Sequence, residues 1–205
     1  MNFLTQAHVF DAPTNELICR FNHRTDQAGV PVPDLKSVPD EVKWRLAANL
    51  AALLPALYDR AYRGVVGEKF DEIEQEIWME LSGMVLEIVR DLSLPTSNAT
   101  ELADSMRTVM TILFGPDYKS ETIEVSKDGA VVLIRECPLL ESGHNLGAGG
   151  PRTFHKCMAL TLTTVPLLNS GYSARFVRTM CTGDRQCEIK IQEAKQPGKD
   201  EREKQ

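Results

Sequence analysis

The stretch TIEVSKDGAVVLIRECP, residues 122–138, decides the fold class. Apolar and polar residues alternate in its first half, and the pair Asp128-Gly129 separates this half from the apolar run 131–134. Such a pattern predicts a β-hairpin, because Asp-Gly supplies the positive φ angles that a tight turn needs. The second predicted strand ends at Glu136-Cys137-Pro138.

Helical periodicity precedes this hairpin. Apolar residues recur every three or four positions from Pro39 onwards, again over about 68–92, and again from Asn98 to Phe114. Asn98 and Glu101 resemble a capping box at the start of the third helix. The apolar stripe of the second helix is wide, which predicts more than one partner surface and a homodimer. The stripes of the first two helices are Val42, Leu46, Leu50, Leu53 and Leu57, then Phe70, Ile73, Ile77, Leu81, Met84, Ile88 and Leu92, with Trp78, Val85 and Val89 widening the second.

A second hairpin is predicted near the end of the chain. A glycine-rich loop at 143–150 leads to a predicted helix over about 151–168. Two strands over about 174–180 and 187–191 follow, with a turn around Gly183. The order is helices, then hairpin, helix and hairpin. This order predicts an α+β fold in which the N-terminal helices pack on a small antiparallel sheet.

The predicted domain organisation has three parts. Residues 1–36 form an irregular lead with a short strand at 17–21. Residues 37–191 form one domain, with a helical part at 37–115 and a cysteine-bearing part at 118–191. Residues 192–205 are charged and almost free of apolar residues, so they are predicted to be a disordered tail.

Composition excludes several classes of partner. The chain has 205 residues and a formal net charge of −6, with no basic stripe, which argues against non-specific nucleic-acid binding. Its longest apolar run, 50–57, is far shorter than the roughly 20 residues of a membrane-spanning helix. The N-terminus lacks the pattern of a signal peptide. We therefore expect a cytoplasmic protein without a membrane partner, whose thiols stay reduced.

Four of the five cysteines lie in the last third of the chain: Cys137, Cys157, Cys181 and Cys187. Three of them fall at the ends of predicted strands, and Cys157 falls early in the intervening helix. Such ends can meet at one sheet edge, which predicts a single metal site. Four thiolates suit structural zinc or, alternatively, a [4Fe-4S] cluster. Buried core thiols and a redox pair are the other interpretations.

Residues 171–189, which include Cys181, Gly183-Asp184 and Cys187, resemble the end of the 4-vinyl reductase-like domain. A related resemblance is to L-2-amino-thiazoline-4-carboxylate hydrolase-like proteins, and together they cover roughly residues 120–191. The resemblance implies an apolar pocket for a small, often aromatic or hydrocarbon-like ligand, with zinc beside it. Cys157, Cys181 and Cys187 match the family's cysteine ligands. Arg178 lies near the family's glutamate position, so Cys137 becomes the fourth ligand, with His155 in reserve.

The sequence thus predicts a metal-containing protein that binds or senses a small apolar or aromatic ligand. No catalytic residue is assigned, because a closed four-thiolate zinc leaves no position for water. The alternatives are a hydrolase of the amino-thiazoline-carboxylate type, which needs an open metal position, and an iron-sulfur redox protein.

Overall fold

The computed structural model describes residues 35–126 and 128–194. The predicted strand at 17–21, with Cys19, and the predicted tail beyond residue 194 lie outside the described residues. The chain divides into two units, Met1–Pro39 and Asp40–Gln205. The first unit contains a 3-10 turn at Leu35–Ser37. All that follows concerns the second unit.

Within the described residues the second unit has five α-helices and four strands, so the predicted α+β class is confirmed. A 3-10 turn at Met180–Thr182 connects the last two strands. In chain order the elements are α1 (Asp40–Val66), α2 (Lys69–Asp91), α3 (Ala99–Phe114), β1 (Lys119–Ser126), β2 (Gly129–Glu136), α4 (Pro138–Asn145), α5 (Gly150–Leu168), β3 (Tyr172–Arg178) and β4 (Cys187–Glu193).

The sheet has the order β1-β2-β4-β3, and all neighbouring strands are antiparallel. The register pairs Ala130 with Ile191 and Ile134 with Cys187. Helix α3 packs across β1, β2 and β4, whereas α5 packs on β3 and on α2. Helix α1 packs outside these, on α3 and α4. The helices therefore cover one face of the sheet in two layers, with the core between α3, α5 and the central strands.

Local sequence signals explain the start of α3. The Asn98 side chain accepts a hydrogen bond from the Glu101 backbone N–H at 2.9 Å. The Glu101 carboxylate in turn accepts from the Ser97 N–H at 2.7 Å. The predicted capping box is thus present, with the glutamate reaching one residue further back than in the usual form.

The structure differs from the sequence expectation at 143–145, because residues Pro138–Asn145 form helix α4 and the expected loop is confined to 146–149. Pro138 lies in the first turn, where a missing N–H costs nothing. Gly143 is buried within this helix, and a Cβ there would lie 2.8 Å from the Thr153 hydroxyl of α5. The glycine therefore permits close packing of α4 on α5 and does not mark a loop.

The expected apolar stripe of α1 is not its buried face. Leu46 and Leu50 are 51% and 54% exposed, whereas Ala48, Ala52 and Ala56 are buried. These alanines let α1 approach α3 closely. At the end of α3, a Cβ on Gly115 would lie only 2.7 Å from that of Ala48.

Helix α2 also turns part of its expected apolar stripe away from the core. Its buried residues are Phe70, Glu74, Trp78, Ser82, Val85 and Val89. Of the expected stripe, Ile73, Ile77 and Met84 are 41%, 51% and 52% exposed. The two helices thus leave a large apolar surface outside the core.

Candidate functional site

All four of the predicted ligand cysteines line one small cavity of about 60 Å³ between the sheet and α5. Cys181 and Cys187 are buried, whereas Cys137 and Cys157 are half-buried. Cys137 directly precedes α4, Cys157 lies in α5, and Cys187 opens β4. The folded chain therefore gathers residues that are far apart in sequence.

The turn between β3 and β4 holds Cys181 and Cys187 in place. The Thr179 hydroxyl accepts a hydrogen bond from the Cys181 N–H at 3.2 Å. The Cys187 sulfur accepts one from the Met180 N–H at 3.3 Å. On the outer side, Gly150 lies so close to the Cys181 backbone that a Cβ would overlap its carbonyl. This glycine fixes the start of α5 against the turn.

Burial keeps three of these thiols protonated, those of Cys137, Cys157 and Cys181. Desolvation raises the pKa of Cys137, and it raises the pKa of Cys157 well above its usual value. Desolvation also raises the pKa of Cys181 to about 11. The rest of the cavity wall is largely apolar and includes Met110 and Phe114. At neutral pH these residues behave as small buried hydrophobic groups.

The predicted metal site is therefore wrong. Among residues 35–126 and 128–194, no group of three or more His, Cys, Asp or Glu side chains can hold a metal ion. The four sulfurs line an apolar cavity without converging on one ion. The zinc and [4Fe-4S] assignments fall with the site. His155, the reserve ligand, lies on the exposed side of α5.

A much larger feature lies between α1 and α2. The helices are joined by the short connection at Gly67 and Glu68, and they diverge to leave a groove of about 690 Å³. Glu74 is the one charged residue among the lining side chains, and the others are apolar or aromatic. The lining residues are Ala51, Leu54, Pro55, Tyr58, Tyr62 and Val66 of α1; Phe70, Ile73, Glu74, Ile77, Trp78, Leu81, Met84 and Val85 of α2; Leu113 and Phe114 of α3; and Leu160 of α5.

The groove and the thiol cavity share a wall. Trp78, Phe114 and Leu160 line both. The wide apolar stripe of α2 is the sequence signal for this groove. The stripe alone predicts a packing face, because the sequence of one helix does not show how far away its neighbour lies.

Two sets of ion pairs brace the groove. Lys156 of α5 contacts Glu74 at 3.1 Å, and these side chains are 3% and 9% exposed. Burial raises the pKa of Glu74 despite this partner. Arg63 of α1 pairs with Asp59 and reaches Asp71 of α2 at 2.7 Å. The hydrogen bond from Arg63 lowers the pKa of Asp71.

The same end of the groove has one further contact from Arg63. Its guanidinium lies 5.3 Å from the centre of the Phe70 ring, within the range of a cation–π contact. Arg63 thus links α1 to the first turns of α2 through both charge and ring contacts, and this closes the groove near the Gly67 connection.

No helix in the described part of the chain is long and apolar enough to cross a membrane. The cytoplasmic location stays a prediction.

Comparisons with known proteins give little similarity. No family model matches the chain, and no curated protein matches it significantly. Among solved structures, it is similar to a trafficking protein particle complex subunit 3 from Naegleria fowleri covalently bound to palmitic acid. That similarity has a TM-score of 0.44 and 13% identity, and covers 76% of this chain and 98% of the other. A likeness of this degree supports no argument about ligand or partner, and the resemblance to the 4-vinyl reductase-like domain stays a prediction.

Proposed function

We propose that this chain is a binding protein that holds a small apolar or aromatic ligand in the groove between α1 and α2. The observation that carries the proposal is the groove itself, with a volume of about 690 Å³ and a lining that is apolar except for Glu74. Ligand pockets in proteins are commonly about 300–1,000 Å³ and mostly apolar, with a few polar groups. The groove fits this description.

A ligand would remove exposed apolar surface from water. Tyr58, Tyr62, Ile77 and Met84 all line the groove and are 51%, 52%, 51% and 52% exposed. Burial of such surface contributes roughly 25 cal/mol per Å². Exposure of this apolar surface to water raises the free energy of the ligand-free protein, and an apolar ligand that covers the surface lowers it.

The chemistry of the groove favours binding over catalysis. Among the lining residues, Glu74 is the one carboxylate, and Lys156 contacts it. The nearby thiols lie behind the wall of Trp78, Phe114 and Leu160, and burial keeps the Cys157 thiol protonated. A thiol in this state is a poor nucleophile. The hydrolase alternative required an open metal position, which the four cysteines do not provide.

The predicted homodimer would use the same surface. A second copy could cover the exposed apolar residues of α1 and α2, since isologous contacts bury one patch on both subunits. Ligand binding and self-association would then compete. Sedimentation of the protein across a range of concentrations, with and without an apolar probe, measures that competition directly.

A neutral fluorescent probe, N-phenyl-1-naphthylamine, tests the proposal. We expect its fluorescence to rise on binding to the wild type and this rise to be lost in Ala51→Trp/Ile77→Trp, which fills the groove from both walls. The matched control is Asn49→Trp/Met79→Trp, at exposed positions of the same helices outside the groove lining. Equal binding by both variants would contradict the proposal.

A further inference from the structure

We infer that the ligand of this groove is a lipophilic cation, with an apolar body between the helices and a positively charged group above the α2 rim. The inference rests on the proposed function and names the ligand class. It follows from the unequal charge of the two rims of the groove.

The α2 rim is acidic. Glu72, Glu76, Glu80 and Glu87 are all exposed and follow one side of the helix. Glu80 is three residues after Ile77 and four before Met84, so it lies beside both of these groove-lining residues. Glu76 is three residues after Ile73 and has the same relation to it. The carboxylates therefore form a row along the edge of the apolar lining.

These carboxylates form no ion pair with the residues that the structure describes. None of the four forms a salt bridge within the described ranges, although nine salt bridges occur there. Like charges at a spacing of four residues repel one another on a helix. A bound cation relieves this repulsion between Glu76 and Glu80.

The α1 rim is apolar. Ala47, Leu50, Ala61 and Val65 are exposed on the solvent side of the groove-lining residues, and Val65 is 86% exposed. Arg60, an exposed arginine of this helix, is nine residues from Ala51, which places it about 180° around the helix axis. A ligand thus meets hydrocarbon on one side and carboxylates on the other.

Among the described residues, the cations near the groove leave the middle of the acidic row, Glu76 and Glu80, without a neighbouring positive charge. Arg63 is held by Asp59 and Asp71, and Lys156 is buried against Glu74. Lys69 and Arg90 lie at the two ends of α2. They are roughly 10 and 15 Å along the axis from Glu76 and Glu80, respectively. A carboxylate ligand would therefore face acidic side chains at mid-groove without a free cation beside it.

Competition by three chain-matched ligands tests this inference: decylamine, decanol and decanoate, each displacing N-phenyl-1-naphthylamine at pH 7 and low salt. Each exposed carboxylate should contribute roughly two- to fivefold in affinity. We expect the amine to displace the probe at a concentration roughly tenfold lower than decanoate, with decanol between them. Added salt should narrow these differences, since it screens exposed charges.

The variant Glu76→Gln/Glu80→Gln should abolish the preference for the amine and leave the affinity for decanol unchanged. Its control is Glu124→Gln/Glu141→Gln, which removes two exposed carboxylates of β1 and α4 outside the groove and should keep the preference. Equal displacement by all three ligands, or a preference that survives in Glu76→Gln/Glu80→Gln, overturns the cation inference and leaves the groove as a binding site.

One other outcome, failure of every ligand with no binding of the probe, overturns the inference and the proposed function together.

Discussion

Removal of the Lys156 ammonium group should destabilise the protein, because it leaves the Glu74 carboxylate buried at the edge of the groove without its cation. Lys156→Met keeps most of the apolar stem of the side chain and removes its ammonium group. Glu74, 9% exposed and paired at 3.1 Å, then loses the cation that contacts it. Removing one partner of a buried ion pair costs about 3–5 kcal/mol. Since whole domains are stable by about 5–15 kcal/mol, the loss should be easy to measure.

The cost of Lys156→Met should depend on pH, because Glu74 can escape by taking up a proton. Burial already raises the pKa of Glu74, and loss of Lys156 raises it further. Between the ordinary pKa of 4.5 and the raised folded value, the folded state of the variant binds more protons than the unfolded state. Its stability therefore falls as pH rises, by up to about 1.4 kcal/mol per pH unit. The cost relative to wild type should be largest near pH 8 and shrink towards pH 5.

Urea denaturation followed by far-UV circular dichroism, at several pH values between 5 and 8, measures these free energies. The matched control is Lys43→Met, which breaks the surface pair of Lys43 and Asp40, where Asp40 is 98% exposed. That loss should be below about 0.5 kcal/mol and independent of pH. The double variant Glu74→Gln/Lys156→Met should recover much of the loss. A cost of Lys156→Met below about 1 kcal/mol, or one that stays constant across this pH range, would refute the reasoning.

Three further predictions concern the groove and the thiol cavity. The raised pKa of Glu74 gives the wild type a contribution to stability that decreases as pH rises above 4.5, and Glu74→Gln should remove this contribution. An unchanged pH slope in the same denaturation series would contradict this. Gly150→Ala should lower the free energy of unfolding by roughly 1–3 kcal/mol or more, as overpacking does, because its Cβ would overlap the Cys181 carbonyl. Its control, Gly64→Ala, has open space around the new Cβ in α1 and should stabilise by up to about 1 kcal/mol in thermal unfolding. Alkylation of Cys157 and Cys181 at pH 8, followed by peptide mass spectrometry, should be far slower in the native protein than in urea, since burial raises both thiol pKa values; equal rates would contradict protonated, buried thiols.

Signals that act over a few residues predicted the local structure well. The hairpin at 119–136 and the Asn98 cap depend on neighbouring residues, and both occur in the structure. Gly129 itself lies in β2 without the positive φ that the Asp-Gly pattern predicts. The short helix α4 was missed because Gly143 and the glycines after it resemble a loop pattern. What Gly143 supplies is close contact with Thr153, a residue ten positions away.

The rotation of α1 and α2 could not be predicted from periodicity alone. Both helices carry apolar residues on more than one face, so the choice of buried face depends on the partner. Helix α1 buries its alanine face and not its leucines, because small side chains allow the close approach of Ala48 to Gly115. Ile73 and Ile77 of α2 line the groove, whereas Leu46 and Leu50 of α1 are exposed and do not line it.

The cysteines show why spacing is a weaker guide than environment. Strand ends and a helix did bring Cys137, Cys157, Cys181 and Cys187 to one cavity. Metal binding needs sulfurs that surround one point, whereas these four line an apolar space without forming such a group. The sequence indicates the meeting place, but the arrangement of the sulfurs there depends on the side chains around them.

The unequal rims of the groove connect the fold to its proposed use. A helix that served only as a packing element would place its charges opposite its apolar face. Helix α2 instead places Glu76 and Glu80 directly beside exposed Ile77 and Met84 and leaves these carboxylates without partners in the described chain. Electrostatic repulsion between these carboxylates raises the free energy of the folded protein, and no contact among the described residues offsets it. A cationic guest that lies on the apolar lining offsets both the repulsion and the exposed hydrocarbon, so the same residues that weaken the free protein would give the complex its selectivity.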